Sequence, residues 1–158
     1  MTGPAQSITP ITLAGADING IDFGYNFDTI VNTNDSGQGS LRQFILNSNL
    51  LGNTGLDQDL AAAIDGDYAA EDEVSIFMIP AADLNGTGGD AGSAVITPTT
   101  ELPDLTDAST KIDGRTQTHN IGDNNAGTVN SGFTAGVQAV AVAAVEKPEV
   151  VILSLIHI

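Results

Sequence analysis

Four basic side chains, Arg42, Lys111, Arg115 and Lys147, stand against 20 acidic ones in this 158-residue chain. Cations and a carboxylate crowd together at Lys111-Ile112-Asp113-Gly114-Arg115. The chemistry such a group could do is proton abstraction next to a uronate, with an Arg or Lys as base beside calcium-binding carboxylates. A plainer reading carries more weight: Asp113-Gly114 makes a turn, and Arg115 pairs locally with a carboxylate or a carbonyl. Glycoside hydrolysis needs two opposed carboxyl groups at roughly 5–9.5 Å. Asp104 and Asp107 are the nearest pair, but in a proline-containing bend they serve better as caps of their own backbone. His119 reads as a lone exposed histidine in a polar loop. No Ser/His/Asp arrangement with supporting context occurs, and the absence of cysteine excludes thiol catalysis, disulfides and Cys-based zinc sites.

No cofactor is expected. Calcium is the one cation to weigh, because Asp57-Gln58-Asp59, Asp65-Gly66-Asp67, Asp83-Leu84-Asn85 and Asp123-Asn124-Asn125 bring oxygen ligands close in sequence. None completes a twelve-residue loop with a distal glutamate, and a solvated acidic face is the commoner meaning of such runs. The net charge of −16 argues against a sequence-independent grip on nucleic acid and against an anionic membrane surface, both of which need clustered Lys and Arg. No apolar run is long enough to predict direct membrane insertion.

These residues must be positioned by short elements. Residues 8–31 read as two strands, the second alternating from Ile21 to Phe27. A polar turn over residues 32–39 leads to Ser40-Leu41-Arg42-Gln43, a capping box: the Ser40 hydroxyl accepts from the backbone of Gln43, whose side chain reaches back. Leu41, Phe44 and Ile45 then share one face of a helix expected over residues 41–48, stopped by Asn47, Asn49 and Gly52. An acidic stretch follows over residues 53–73. Strands are expected at residues 74–79, 94–97 and 110–113, centred on Ile76, Val95 and Ile112 as core ladder positions. Their near-constant spacing suits successive rungs of a solenoid, and an ordinary β-sandwich remains the alternative. Residues 115–145 read as a Gly/Asn/Ala-rich excursion before a further strand at Val150.

Two pieces of sequence resemble known families. Asp28-Thr29-Ile30-Val31-Asn32-Thr33-Asn34-Asp35-Ser36-Gly37-Gln38-Gly39-Ser40-Leu41-Arg42-Gln43-Phe44-Ile45 resembles the entry segment of large secreted bacterial right-handed parallel β-helix proteins of the pectin-lyase-like kind. Residues 72–80 match that family's "DTIxFxIP" strand with Glu73 in place of threonine. Residues 95–117 match its "ITLxxxLPxLTDxxxIDGxTQ" segment. Gly20 to Phe27 resembles the closing strand of a prealbumin-like adhesin sandwich repeat. The resemblance implies a mostly-β chain, the start of a right-handed parallel β-helix capped by one short α-helix. Its divisions are residues 1–27 as a sandwich remnant or linker, 28–152 as cap and first coils, and 153–158 as an artefact. In that reading Leu41, Phe44 and Ile45 cover the end of the first coil, and Asp113-Gly114 turns the chain after the third strand.

Leu153-Ser154-Leu155-Ile156-His157-Ile158 resembles a translated sequencing adapter, so His157 carries no functional weight, and the opening lacks the pattern of a signal peptide. The chain is therefore expected to be part of a longer protein with its export signal upstream. The Thr- and Asn-rich, Lys-poor, Cys-free composition predicts an extracellular or cell-surface location. A non-enzymatic, structural or adhesive role is expected, with extracellular glycans or other surface proteins as partners. The rival is the N-terminal part of a polysaccharide lyase or hydrolase with its active site on later coils.

Overall fold

A computed structural model describes residues 27–56, 58, 60, 62–130 and 132–153. Within them run β1 (Thr29–Ile30), α1 (Leu41–Ser48), α2 (Ala62–Asp65), β2 (Glu73–Val74), β3 (Ile76–Phe77), β4 (Ala94–Ile96), β5 (Thr110–Lys111) and α3 (Arg115–Ile121). They are followed by β6 (Thr128–Val129), β7 (Thr134–Ala135), β8 (Val140–Ala141), β9 (Val145–Glu146) and β10 (Val150–Ile152). The strands expected before residue 27 and most of residues 153–158 lie outside the described residues.

The strands pair two by two. β1 with β3, β2 with β5 and β4 with β10 are parallel, whereas β6 with β9 and β7 with β8 are antiparallel. This corrects the expected solenoid: no described sheet exceeds two strands or closes, and β4 pairs with β10 rather than with the run at 73–79. A mostly-β chain with short helices is what forms.

The physical reason lies along residues 73–79, where the hydrogen-bond partners alternate between strands and side chains. Glu73 and Ser75 donate their N–H to the carbonyls of Ser109 (3.0 Å) and Lys111 (2.9 Å), and Ile76 and Met78 donate to Asp28 and Ile30 (both 2.8 Å). The intervening donors go to side chains. Val74 N–H reaches Gln58 Oε1 (2.7 Å), Phe77 N–H reaches Thr116 Oγ1 (2.9 Å), and Ile79 N–H reaches Gln117 Oε1 (2.9 Å). The same amides return a proton, Gln58 Nε2 to Val74 O (3.1 Å) and Gln117 Nε2 to Ile79 O (2.8 Å). Asn120 Nδ2 covers Phe77 O at 3.1 Å. β4 is closed in the same manner: Val95 N–H donates to Asn85 Oδ1 (2.7 Å), and Asn85 Nδ2 donates to Val95 O (3.0 Å). A primary amide carries a donor and an acceptor side by side, so it can stand in for the next strand and end the sheet.

The core gathers Ile30, Leu41, Phe44, Ile45, Phe77, Ile79, Ala94 and Ile96, with Leu84, Leu102 and Val150 packed against it. α1 is built as its sequence implies at its start, where Ser40 in extended backbone accepts from Gln43 N at 3.2 Å. The return half of the capping box is replaced: Gln43 Nε2 donates to Asn47 Oδ1 (2.8 Å), and Ser40 N–H goes to Gly37 O (3.2 Å). Leu41, Phe44 and Ile45 are buried in the common core and do not act as a lid over stacked rungs. Arg42, on the other face, ties the loops together through Asp35 O (2.9 Å), Thr100 O (2.8 Å) and Glu101 O (2.6 Å).

The expected ladder positions are not the fully buried ones. Ile76 and Val95 are half-buried and Ile112 is 39% exposed, whereas Val74, Phe77, Ile79, Ala94 and Ile96 are fully buried. In β4 side chains alternate faces with period two, so an offset of one residue exchanges core for surface, whereas between Val74 and Phe77 the buried positions change parity where the chain passes from β5 to β1 as partner.

Replacing Gln117 by leucine keeps the volume but leaves Ile79 N–H and C=O buried without partners. Each orphaned group costs ~1–3 kcal/mol, so for two groups the loss of unfolding free energy should total about 2–6 kcal/mol. Urea denaturation of Gln117→Leu checks this, and a loss well under about 1 kcal/mol would show that the amide closure contributes little.

Candidate functional site

The densest array of ionisable groups among the described residues surrounds Tyr68, which follows α2. The residues before α3 hold the other side. Asp113 N–H donates to Ser75 Oγ (2.9 Å), fixing the chain beside β2, and Asp113 Oδ1 accepts from Arg115 N (2.9 Å), opening the first turn of α3. Gly114 sits between them with ordinary helical backbone. The Arg115 side chain thereby folds back on Asp113, with Nε 2.9 Å and Nη2 2.7 Å from Oδ2. Its Nη1 reaches Asp67 Oδ2 at 2.7 Å, and its Nη2 reaches the Tyr68 hydroxyl at 3.0 Å. The Tyr68 hydroxyl donates to Asp113 Oδ2. Lys111, at the end of β5, pairs with Asp72 and lies 5.9 Å from the Tyr68 ring centroid, within cation–π range.

The electrostatics favour a neutral Tyr68 beside an ionised Asp113 and a charged Arg115. Burial pushes the Tyr68 phenol up, and its hydrogen bond to Asp113 pushes it further, so it remains a donor. Burial works against the charge on Asp113, but the hydrogen bonds from Arg115 and Tyr68 outweigh it and hold the carboxyl below the usual aspartate range. Hydrogen bonds from Asp113, Asp67 and Tyr68 push the Arg115 guanidinium further up. A guanidinium so engaged does not take a proton from carbon, and the reading of Arg115 as a lyase base has no support in this geometry. Its side chain is nevertheless 52% exposed, so the outer face of a rigid donor–acceptor array meets solvent.

A second cluster was hidden in the sequence. Glu73 is only 3% exposed, with Oε2 accepting from Thr110 Oγ1 at 2.9 Å. Burial pushes its carboxyl above the usual glutamate range, and a hydrogen bond shared with Asp28 pushes it further, because two adjoining carboxyl groups cannot both ionise freely. Asp28 also accepts from Gln58 Nε2 (2.7 Å), so the pair joins the entry of β1 to the start of β2. Glutamate in place of threonine in the strand motif was the one sequence signal for this.

The remaining candidates are held by neighbouring segments, and the bonds of Asp104 and Asp107 differ from the expected capping of their own backbone. Asp107 Oδ2 accepts from Asn53 Nδ2 (2.6 Å) and shares the one Thr110 hydroxyl proton (2.8 Å) with Glu73, and the Asp104 carbonyl accepts from Asn49 Nδ2 (2.8 Å). His119 is exposed as expected, but on α3 instead of in a loop. Of the calcium candidates, Asp67 is held by Arg115 and Asn85 by Val95. Asn125 donates to Pro148 O at 3.0 Å, while the N–H groups of Asn124 and Asn125 bind the Glu149 carboxylate. Asp57 and Asp59 lie outside the described residues. Among the described residues no three His, Asp or Glu side chains converge as a metal ligand set, and no helix is long and apolar enough to cross a membrane. Comparison with protein-family models, curated proteins and solved structures finds no match to this chain.

The buried carboxyl pair makes a signed prediction. A glutamate raised in the folded state contributes stability that is fully present below its ordinary value, about 4.5, and is lost as pH rises through the raised one. Glu73→Gln keeps the acceptor for Thr110 and removes the charge. Its denaturation midpoint should equal that of the parent at acid pH and exceed it increasingly above. Parallel midpoint-against-pH curves for the two proteins would rule out a raised Glu73.

Proposed function

We propose that this chain is a non-catalytic, structural and adhesive part of a secreted or cell-surface bacterial protein, and that its Tyr68–Arg115 face contacts uncharged extracellular glycans. One observation carries the proposal. The side chains able to do chemistry there, Arg115, Asp113, Asp67 and Tyr68, are fixed on one another while the outer face of the guanidinium and of Asp67 stays exposed. Planar donors and acceptors held at fixed angles suit the vicinal hydroxyls of a sugar, and preorganisation reduces the entropy lost on binding. The net charge of −16 disfavours polyuronates and favours uncharged sugars. The extracellular setting is supported by the Thr/Asn-rich, Cys-free composition. The similarity of residues 28–45 to a segment of large secreted bacterial proteins supports it as well.

Two assays on the chain test this. Polygalacturonate with calcium should yield no unsaturated ultraviolet-absorbing product, and a neutral-glycan panel should show retention that Arg115→Ala lowers by about tenfold or more, the loss of one charge-assisted contact of ~1.5–3 kcal/mol. Turnover abolished by Arg115→Ala would assign catalysis instead, and retention indifferent to Arg115→Ala would remove this face from binding.

A further inference from the structure

The Asn-Gly dipeptide occurs twice in the sequence, at Asn19-Gly20 and at Asn85-Gly86. The first lies outside the described residues. The second is required by the structure at both positions. Asn85 Oδ1 accepts from Val95 N–H (2.7 Å) and its Nδ2 donates to Val95 O (3.0 Å), which takes a primary amide at residue 85. That contact closes one edge of β4, while Ala94 N–H and Ile96 O on the other edge bond to Glu149 O (2.8 Å) and Leu153 N–H (2.9 Å). Residue 86 has to be glycine, because a Cβ there would overlap the Asp90 carbonyl oxygen and stand 2.8 Å from Ser93 Oγ. The Asp90 carbonyl is itself fixed by the N–H (2.9 Å) and hydroxyl (2.7 Å) of Ser93.

Asn-Gly is also a dipeptide that rearranges readily. With no side chain to hinder it, the glycine nitrogen loses its proton and attacks the asparagine Cγ. The new N–Cγ bond closes a succinimide ring, the Cγ–Nδ2 bond breaks, and Nδ2 leaves as ammonia with the proton given up by the glycine. Water then opens the ring. Cleavage of the N–Cγ bond yields aspartate, and cleavage at the main-chain carbonyl yields isoaspartate. No oxidant or cofactor takes part, and Asn85 is exposed, so solvent supplies the water.

In the folded chain the reacting atoms are restrained. The Asn85 carboxamide is tied at both ends to Val95, and Gly86 N–H donates to Ser93 O at 3.0 Å, so the carbon cannot swing onto a free nitrogen. Ser93 directly precedes β4 and Val95 lies within it, so one local opening releases both restraints. We propose that Asn85 is a self-modification site guarded by the β4 edge: opening of that edge exposes the carboxamide to Gly86, and the conversion that follows stops the edge from closing again. The products make the step one-way. An aspartate carboxylate has no proton for Val95 O, and isoaspartate lengthens the main chain while shortening the side chain that must reach Val95. The site is independent of glycan binding by the Tyr68 face.

Peptide mapping by mass spectrometry of the full chain, kept in mildly alkaline buffer with and without denaturing urea, tests the proposal. In urea Asn85 should convert at a rate within about threefold of Asn19, as two unhindered copies of one dipeptide, and give both acid isomers. In the native chain Asn85 should convert at least about tenfold more slowly. Through sub-denaturing urea that slow rate should climb in proportion to hydrogen exchange at Val95 N–H, because the same opening limits both. Asn85→Asp, which mimics one product, should unfold at lower urea than the parent at neutral pH. Equal rates at Asn85 in native and urea samples would overturn the proposal. So would conversion that stays level while Val95 exchange rises, or an Asn85→Asp midpoint equal to that of the parent.

Discussion

Seven consecutive backbone donors, from Glu73 to Ile79, must each find an acceptor, because the run passes through the most buried part of the molecule. Four are taken by carbonyls of other segments and three by side chains of Gln58, Thr116 and Gln117. Once those partners are set, little freedom remains. β1 is placed on one side, β5 and α3 on the other, and α1 follows β1 onto the apolar face beneath. The neighbourhood of Tyr68 then depends on the same run, since Asp113 is anchored to Ser75 and Arg115 is anchored to Asp113.

The energetics divide along the same line. The apolar cluster around Phe44 and Phe77 supplies the non-directional burial, at about 1.5–3 kcal/mol for each large side chain. The polar side chains supply the specificity, and no buried side-chain nitrogen or oxygen among the described residues lacks a partner. Ion pairs contribute less to stability than to placement. Arg115 is half exposed, and exposed pairs are worth at most about 1 kcal/mol.

Parts of this architecture were legible in the sequence. Ser40 with Leu41, Phe44 and Ile45 announced α1 because a cap residue and a 3.6-residue apolar period are local signals. The turn at Asp113-Gly114 and the local pairing of Arg115 were legible for the same reason. The strand regions were found, but the buried positions within them were misjudged, since Ile76, Val95 and Ile112 look no less apolar than Phe77, Ala94 and Ile96. α3 was missed altogether. Arg115-Thr116-Gln117-Thr118-His119-Asn120-Ile121 is poor in strong helix formers, and it is held by what Thr116, Gln117 and Asn120 bond to at Phe77 and Ile79. The even strand spacing suggested stacked rungs, and nothing in that spacing reveals that amide side chains occupy the edges at residues 74, 77–79 and 95.

The choice of amides for these edges insulates them from pH. Gln58, Asn85 and Gln117 carry no titratable proton, so their donor and acceptor faces are the same in acid as in alkali. Carboxylates hold other junctions: Glu149 receives Asn124 and Asn125, Asp35 receives Arg42 and Thr99, and Glu73 meets Asp28. Those contacts change character when they gain or lose a proton. In a strongly acidic chain, acidification therefore acts on the joints between segments and leaves the widths of the capped sheets in the body unchanged.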